Sequence, residues 1–168
     1  MRHGLLAVLL VSGAALAAQA PRANLSGTWK LNVVKSSMGG DHPFADYQLT
    51  KTIELKGDVV SITDAAVHNS VVNIPLPDST TTMEVATDGK EQELTMPPGF
   101  PGMPPSKAVV TAEWQGGTLE VDRVVAGMAS YSRLRLFLSD DRAQLIELVE
   151  QHSTFGDVEQ RLVFEKTQ

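Results

Sequence analysis

The chain has 168 residues, no cysteine, and 14 basic against 20 acidic side chains, for a formal net charge of −6 at pH 7. An acidic surface disfavours nucleic acid and anionic membrane as partners. The absence of cysteine excludes disulfides, thiolate metal sites and a lipid anchor on cysteine.

The first residues have the layout of a secretory signal peptide: Arg2 and His3, an uncharged apolar run from Leu5 to Val11, then small residues ending in Ala15-Leu16-Ala17 and Ala18-Gln19-Ala20. The run is too short to span a bilayer as a helix. Cleavage is expected after Ala17, or as late as Ala20, where Pro21 would put a rigid imide at the cut. One domain over 24–168 then remains, about 150 residues and long enough to bury a sizeable core. An exported, disulfide-free domain fits a bacterial periplasm or culture medium.

Leu25 to Val34 opens the domain as a strand, with Trp29, Leu31 and Val33 on one face and Thr28, Lys30 and Asn32 on the other. Lys35 to Tyr47 is a Gly- and Pro-punctuated connection. Gln48 to Lys56 alternates, Gly57-Asp58 turns, and Val59 to Thr63 returns. Val67 to Leu76 reads as a further strand. Thr80 to Thr87 and Glu91 to Thr95 flank Asp88-Gly89, the strongest two-residue hairpin signal in the chain. Met96 to Ser106 holds five prolines and is a stiff, partly apolar loop. Strands resume over 107–115, 118–125, 129–138, 143–152 and 158–166, and no segment has a helical period. Many short antiparallel strands with tight turns predict an all-β, up-and-down barrel of about 8–10 strands, closure removing exposed edges. A two-sheet sandwich is the structural rival.

Gly27-Thr28-Trp29 at the start of the first strand, close behind an exported N-terminus, resembles the opening motif of the lipocalins and the wider calycin group of barrels. With Leu25 to Asn32, Asp88-Gly89-Lys90-Glu91 and Leu162 to Lys166, the chain is similar to secreted bacterial lipocalin-like proteins. The resemblance implies that Gly27 and Trp29 form a plug at the closed end of the barrel, with a basic residue of the last strand across the indole. Arg161 is the first candidate and Lys166 the second, and such a contact is worth about 0.5–2 kcal/mol. The chain departs from the lipocalin pattern in lacking a Thr-Asp-Tyr segment, a disulfide and a helix after the last strand, so the resemblance implies a barrel rather than a particular ligand.

Inside a barrel, polar residues on apolar faces are the informative ones. Arg123 shares parity with Leu119, Val121 and Val125 and is expected to point inward, where an unpaired guanidinium calls for a carboxylate or an anionic ligand; a register break or a mouth position is the alternative. Lys51, between Leu49 and Ile53, is assigned to the mouth, its stem long enough to snorkel. His152 follows Ile146, Leu148 and Glu150, although Leu145 and Val149 make the other parity nearly as apolar. Trp114 shares parity with Ala108, Val110 and Ala112, as core or cavity wall. Met96, Phe100 and Met103 form either an apolar lid or plain surface loop.

His42, His68 and His152 share no short ligand spacing, and with the methionines they do not make a metal site. No nucleophile elbow, zinc-binding helix or phosphate loop occurs, so no catalytic residue and no cofactor are assigned. Lys30, Thr50, Glu54, Glu120 and Glu165 on the outer faces, and aromatics at only 5% of the chain, do not match a membrane-spanning barrel. The expectation is an exported protein holding a small apolar or amphipathic molecule. The alternative is an envelope interaction module whose interior is filled, with Trp114, Phe137 and Phe164 meeting at the centre.

Overall fold

The computed structural model describes residues 21–37, 48–67, 70–71, 74–75, 78–98, 104–127, 129–154 and 156–167. The leader, His42, His68 and residues 99–103 of the 96–106 loop, Phe100 and Met103 among them, therefore lie outside the described residues.

The strands are β1 (Gly27–Leu31), β2 (Gln48–Lys56), β3 (Val59–Val67), β4 (Ser70–Val71), β5 (Ile74–Pro75), β6 (Ser79–Ala86), β7 (Gln92–Met96), β8 (Ser106–Gln115), β9 (Thr118–Val125), β10 (Tyr131–Leu138), β11 (Gln144–Ser153) and β12 (Gly156–Lys166). All but β4 and β5 form one 10-stranded antiparallel sheet in the order β6-β3-β2-β1-β12-β11-β10-β9-β8-β7. It is a nearly closed up-and-down barrel with one short 3-10 turn, Val33–Lys35, after β1. A sandwich is thereby set aside. The strand read over Val67 to Leu76 is instead the end of β3 followed by β4 and β5, which among the described residues pair only with each other.

Alternation explains the wall. On β2, Leu49, Lys51 and Ile53 are buried while Gln48 and Glu54 are exposed; on β8, Ala108, Val110 and Ala112 are buried between exposed Lys107, Val109 and Glu113. On these two strands the inward row faces the interior of the curve and the outward row faces solvent. Outward positions carry ion pairs, including Arg133 with Asp122 at 2.8 Å and Arg135 with Glu150.

The two ends differ. At one, the connections are short, at 57–58, 87–91, 116–117 and 139–143, and the N-terminal segment lies beneath them. Here Trp29 (2% exposed), Leu25, Ile53, Val60, Val85, Leu119, Leu136, Leu145 and Phe164 make the core. The Trp29 indole Nε1 donates to the Leu25 carbonyl at 3.0 Å, so the buried polar atom of the plug is satisfied. The cation over its ring is Lys166, whose Nζ is 5.4 Å from the ring centroid. Arg161 does not take that place: it is exposed and donates to the Lys35 carbonyl at 3.3 Å. The register decides between them, because Lys166 is the residue opposite Trp29 in the β1–β12 ladder. Gly27, at φ +143°, makes room for this contact, since a Cβ there would lie 3.1 Å from Lys166 Cε.

The Asp88-Gly89 turn does not close a hairpin. β6 and β7 are the two edges of the sheet. Gly89, at φ +73°, donates its N–H to Ala112 of β8 at 3.0 Å, and Asp88 bridges Glu113. The seam between β6 and β7 is instead spanned by the side chain of Gln92, whose Oε1 accepts from the Ala86 N–H at 2.8 Å and whose Nε2 donates to the Ala86 carbonyl at 2.9 Å. A primary amide presents the same donor and acceptor as a peptide unit, so one side chain substitutes for a rung of the ladder.

Candidate functional site: a polar cavity in the barrel

In the half of the barrel with the longer connections, the interior opens into a cavity of about 220 Å³, where a single water needs about 10–15 Å³. Its apolar wall comes from Ile62, Met83, Met96, Val121, Leu134 and Val149. Its polar wall comes from Lys51, Asp64, Thr81, Thr82, Arg123, Ser132, Glu147 and Gln151. A mostly preformed concavity with a few convergent polar groups is the usual form of a small-molecule site.

Lys51 is 1% exposed and lies inside the barrel rather than at its mouth. Its Nζ donates to Asp64 Oδ1 at 2.6 Å and stands 3.0 Å from Glu147 Oε2, and it also lies 5.6 Å from the centroid of the Phe164 ring. Snorkelling is unnecessary, because carboxylates from β3 and β11 meet the ammonium in place. Burial alone would push the Lys51 ammonium down, but Glu147 and Asp64 together outweigh it and hold its pKa above the ordinary value. Glu147 is 7% exposed, and burial raises its carboxyl above the ordinary value despite Lys51. Its Oε2 takes no aligned hydrogen bond among the described residues.

Arg123 points inward as its parity predicts, and its Nε donates to Ser132 Oγ at 3.1 Å. Burial lowers its pKa somewhat, and it stays a cation. Among the described residues it has no carboxylate partner, whereas Lys51 has two. The cavity is thus polarised, with negative charge in excess around Lys51 and an uncompensated guanidinium on β9.

The other candidates fall in different places. Met96 is half-buried and forms part of the cavity wall with Pro97. Trp114 is half-buried at the short-turn end, beside a separate hollow of about 150 Å³ near Arg22, Asn24 and Thr87, and so is not brought together with Arg123. His152 faces outward: the inward row of β11 is Leu145, Glu147, Val149 and Gln151. Its ring stacks on Tyr131 at 6.0 Å, and its Nδ1 is 3.0 Å from Asp157 on the exposed wall. Phe137 pairs with Ile146 on the outward parity and does not join the core, so the three aromatic residues do not meet at the centre. No group of three or more metal-ligating side chains occurs among the described residues. Nor is any described helix long and apolar enough to cross a membrane.

Sequence reading missed Asp64, Glu147, Ser132 and Gln151. The signal was present for Glu147, a single acid between Leu145 and Val149, but the nearly equal parities of β11 concealed it.

No protein-family model and no curated protein matches the chain. Solved structures do. Human cRBP IV is 16% identical with a TM-score of 0.54, the likeness covering 86% of this chain and 99% of that one. A zebrafish ileal bile acid-binding protein complexed with cholic acid is 17% identical with a TM-score of 0.54, covering 84% and 98%. A secretory abundant heat soluble protein from Ramazzottius varieornatus is 10% identical with a TM-score of 0.59, covering 89% and 99%. At these identities the likeness speaks for the fold alone: the chain shares the antiparallel up-and-down β-barrel architecture of these proteins.

Proposed function

We propose that the protein is an exported carrier that holds one small amphipathic molecule in the long-connection half of the barrel, with an anionic group of that molecule on Arg123. The observation that carries this reading is the inward Arg123 guanidinium, which borders the cavity and has no carboxylate partner among the described residues. A desolvated cation in that position gains from an anion, and a planar fork suits a carboxylate. The apolar wall formed by Ile62, Met83, Val121 and Leu134 would take the rest of the molecule. The zebrafish neighbour, complexed with cholic acid, agrees in general form. Export rests on the leader at 1–17, and a periplasmic or extracellular location follows from it. The zebrafish neighbour is a bile acid-binding protein, and the cavity groups among the described residues are paired charges and hydroxyls without a nucleophile activated by a base, which favours binding over catalysis.

The test is native mass spectrometry of the protein from its own host, followed by organic extraction and by N-terminal sequencing. A stoichiometric acid is expected, together with a mature N-terminus between Pro21 and Ala18. Arg123→Ala should lose affinity for that acid while keeping the fold. A clean apo mass and no binding of fatty acids, retinoids or porphyrins would favour the packed-barrel envelope module, a reading that the filled short-turn half supports.

A further inference from the structure

We propose that the ligand's anionic group enters the barrel together with a proton, which Glu147 takes from solvent, so that the carrier loads at lower pH and unloads as pH rises. This deepens the carrier reading above and rests on it. The charges that line the cavity carry the argument. Lys51 and Arg123 supply two cations, and Asp64 and Glu147 supply two anions. Arg133, at the margin of the lining, is committed to Asp122 on the outer face by hydrogen bonds of 2.8 and 3.0 Å. The interior is therefore balanced before a ligand enters. An anionic ligand adds one negative charge inside a wall of low dielectric, where an unbalanced charge is unfavourable. One proton restores the balance.

Geometry selects the acceptor. Both carboxylates hold one ammonium, with Asp64 Oδ1 2.6 Å from Lys51 Nζ and Glu147 Oε2 3.0 Å from it. When one is neutralised the other still pairs Lys51, so a proton here strands no cation. Asp64 has the shorter contact and keeps 36% of its side chain exposed, where water screens its charge. Glu147 has the longer contact and is buried, so its charge is the one that desolvation disfavours. Burial already holds its carboxyl above the ordinary value, and a second anion in the same cavity moves it further that way.

The surrounding strands offer the proton no better place. In the ladders Glu147 lies between Leu136 of β10 and Leu162 of β12. Toward the cavity β6 presents Thr81, Thr82 and Met83, and β7 presents Met96. Among the described residues no acid other than Asp64 and Glu147 borders the cavity, and His152 stands on the outer wall. Coupling of this kind is reciprocal: an anion that tightens the hold of Glu147 on its proton is itself held less tightly once that proton leaves.

The experiment is calorimetric titration of the full mature chain with decanesulfonate, whose head group stays ionised throughout, in pairs of buffers that differ in ionisation enthalpy. Net proton uptake is expected, and affinity should fall about ten-fold between about pH 5 and about pH 9. Glu147→Gln, which leaves Asp64 on Lys51, should bind the sulfonate with no uptake and with an affinity flat over that range. If the variant does not fold, infrared difference spectra of wild type read the same event, as a carboxylate band replaced by a protonated-carboxyl band when sulfonate is added. Sulfonate binding without uptake, or uptake that persists in Glu147→Gln, would overturn the proposal and leave the carrier reading standing. Failure of both decanesulfonate and decanoate to bind wild type would overturn both.

Discussion

The two halves of the barrel share one strand alternation and do opposite things with it. Toward the short turns, the inward positions are Ile53, Val60, Leu119, Leu136 and Leu145. Farther along the same strands, the same parity carries Lys51, Asp64, Arg123, Ser132, and then Glu147 and Gln151. Periodicity decides which residues enter the barrel, and residue type decides whether they fill it or furnish it. The packed half supplies stability through apolar burial. The cavity half gives part of that up for polar groups whose pairing must be complete to be tolerated.

Substitutions can separate the halves. Trp29→Ala removes the plug and its bond to Leu25, and should cost about 3–5 kcal/mol in urea denaturation. Ligand stoichiometry per folded molecule should be unchanged, because Trp29 does not border the cavity. Lys51→Met should cost about 3 kcal/mol at neutral pH, because it strands Glu147. Adding Glu147→Leu should return part of that loss, a non-additivity readable from the double-mutant cycle. If the double variant were less stable than Lys51→Met, Glu147 would not be the stranded charge.

A smaller effect is expected in the pH profile. Glu147 in the folded chain binds its proton more tightly than at the ordinary value of 4.5. As pH rises from there through the raised folded pKa, the unfolded chain releases the proton first, and stability is lost. The difference in urea midpoint between wild type and Glu147→Gln should therefore shift against wild type across that window. A flat difference would contradict burial as the cause. Smallest of all, Lys166→Met should cost about 0.5–1 kcal/mol through the lost contact with Trp29, whereas Arg161→Met, on the exposed wall, should leave stability unchanged within about 0.5 kcal/mol.

The wall was legible in the sequence because a two-residue period and tight turns are local signals. The inward course of Arg123 followed from parity, and the plug at Trp29 was implied by the resemblance carried by Gly27-Thr28-Trp29. What was not legible depends on which strands face one another across the interior. Lys51 looks like a mouth residue until β11 brings Glu147 to it from the far side. Arg161 and Lys166, five residues apart on β12, face opposite sides; Lys166 shares the parity of Leu162 and Phe164, but Val163 is buried as well and makes both faces look apolar. Asp88-Gly89 has the chemistry of a hairpin turn, yet it joins two strands that do not pair, because β8 captures the turn. His152 was misplaced for a simpler reason: Ile146 and Val163 are buried on the outer wall, which makes both faces of β11 look apolar.

The Gln92 amide has a mechanical consequence. Among the described residues nine ladders run round the barrel, and the ring is closed between the β6 and β7 edges by the Gln92 amide, beside the hold that β8 keeps on the Asp88-Gly89 turn. Releasing the amide breaks two hydrogen bonds, each worth about 1 kcal/mol net, and leaves every ladder whole. The girth of the barrel is therefore the softest dimension of the molecule, and it is softest beside Met83 and Met96, where the cavity meets the seam. The Ala86 amide should exchange with deuterium far faster than the ladder amides of β2. A hydrocarbon chain slightly wider than the resting cavity can then be admitted by loosening a fastening rather than by unfolding a wall.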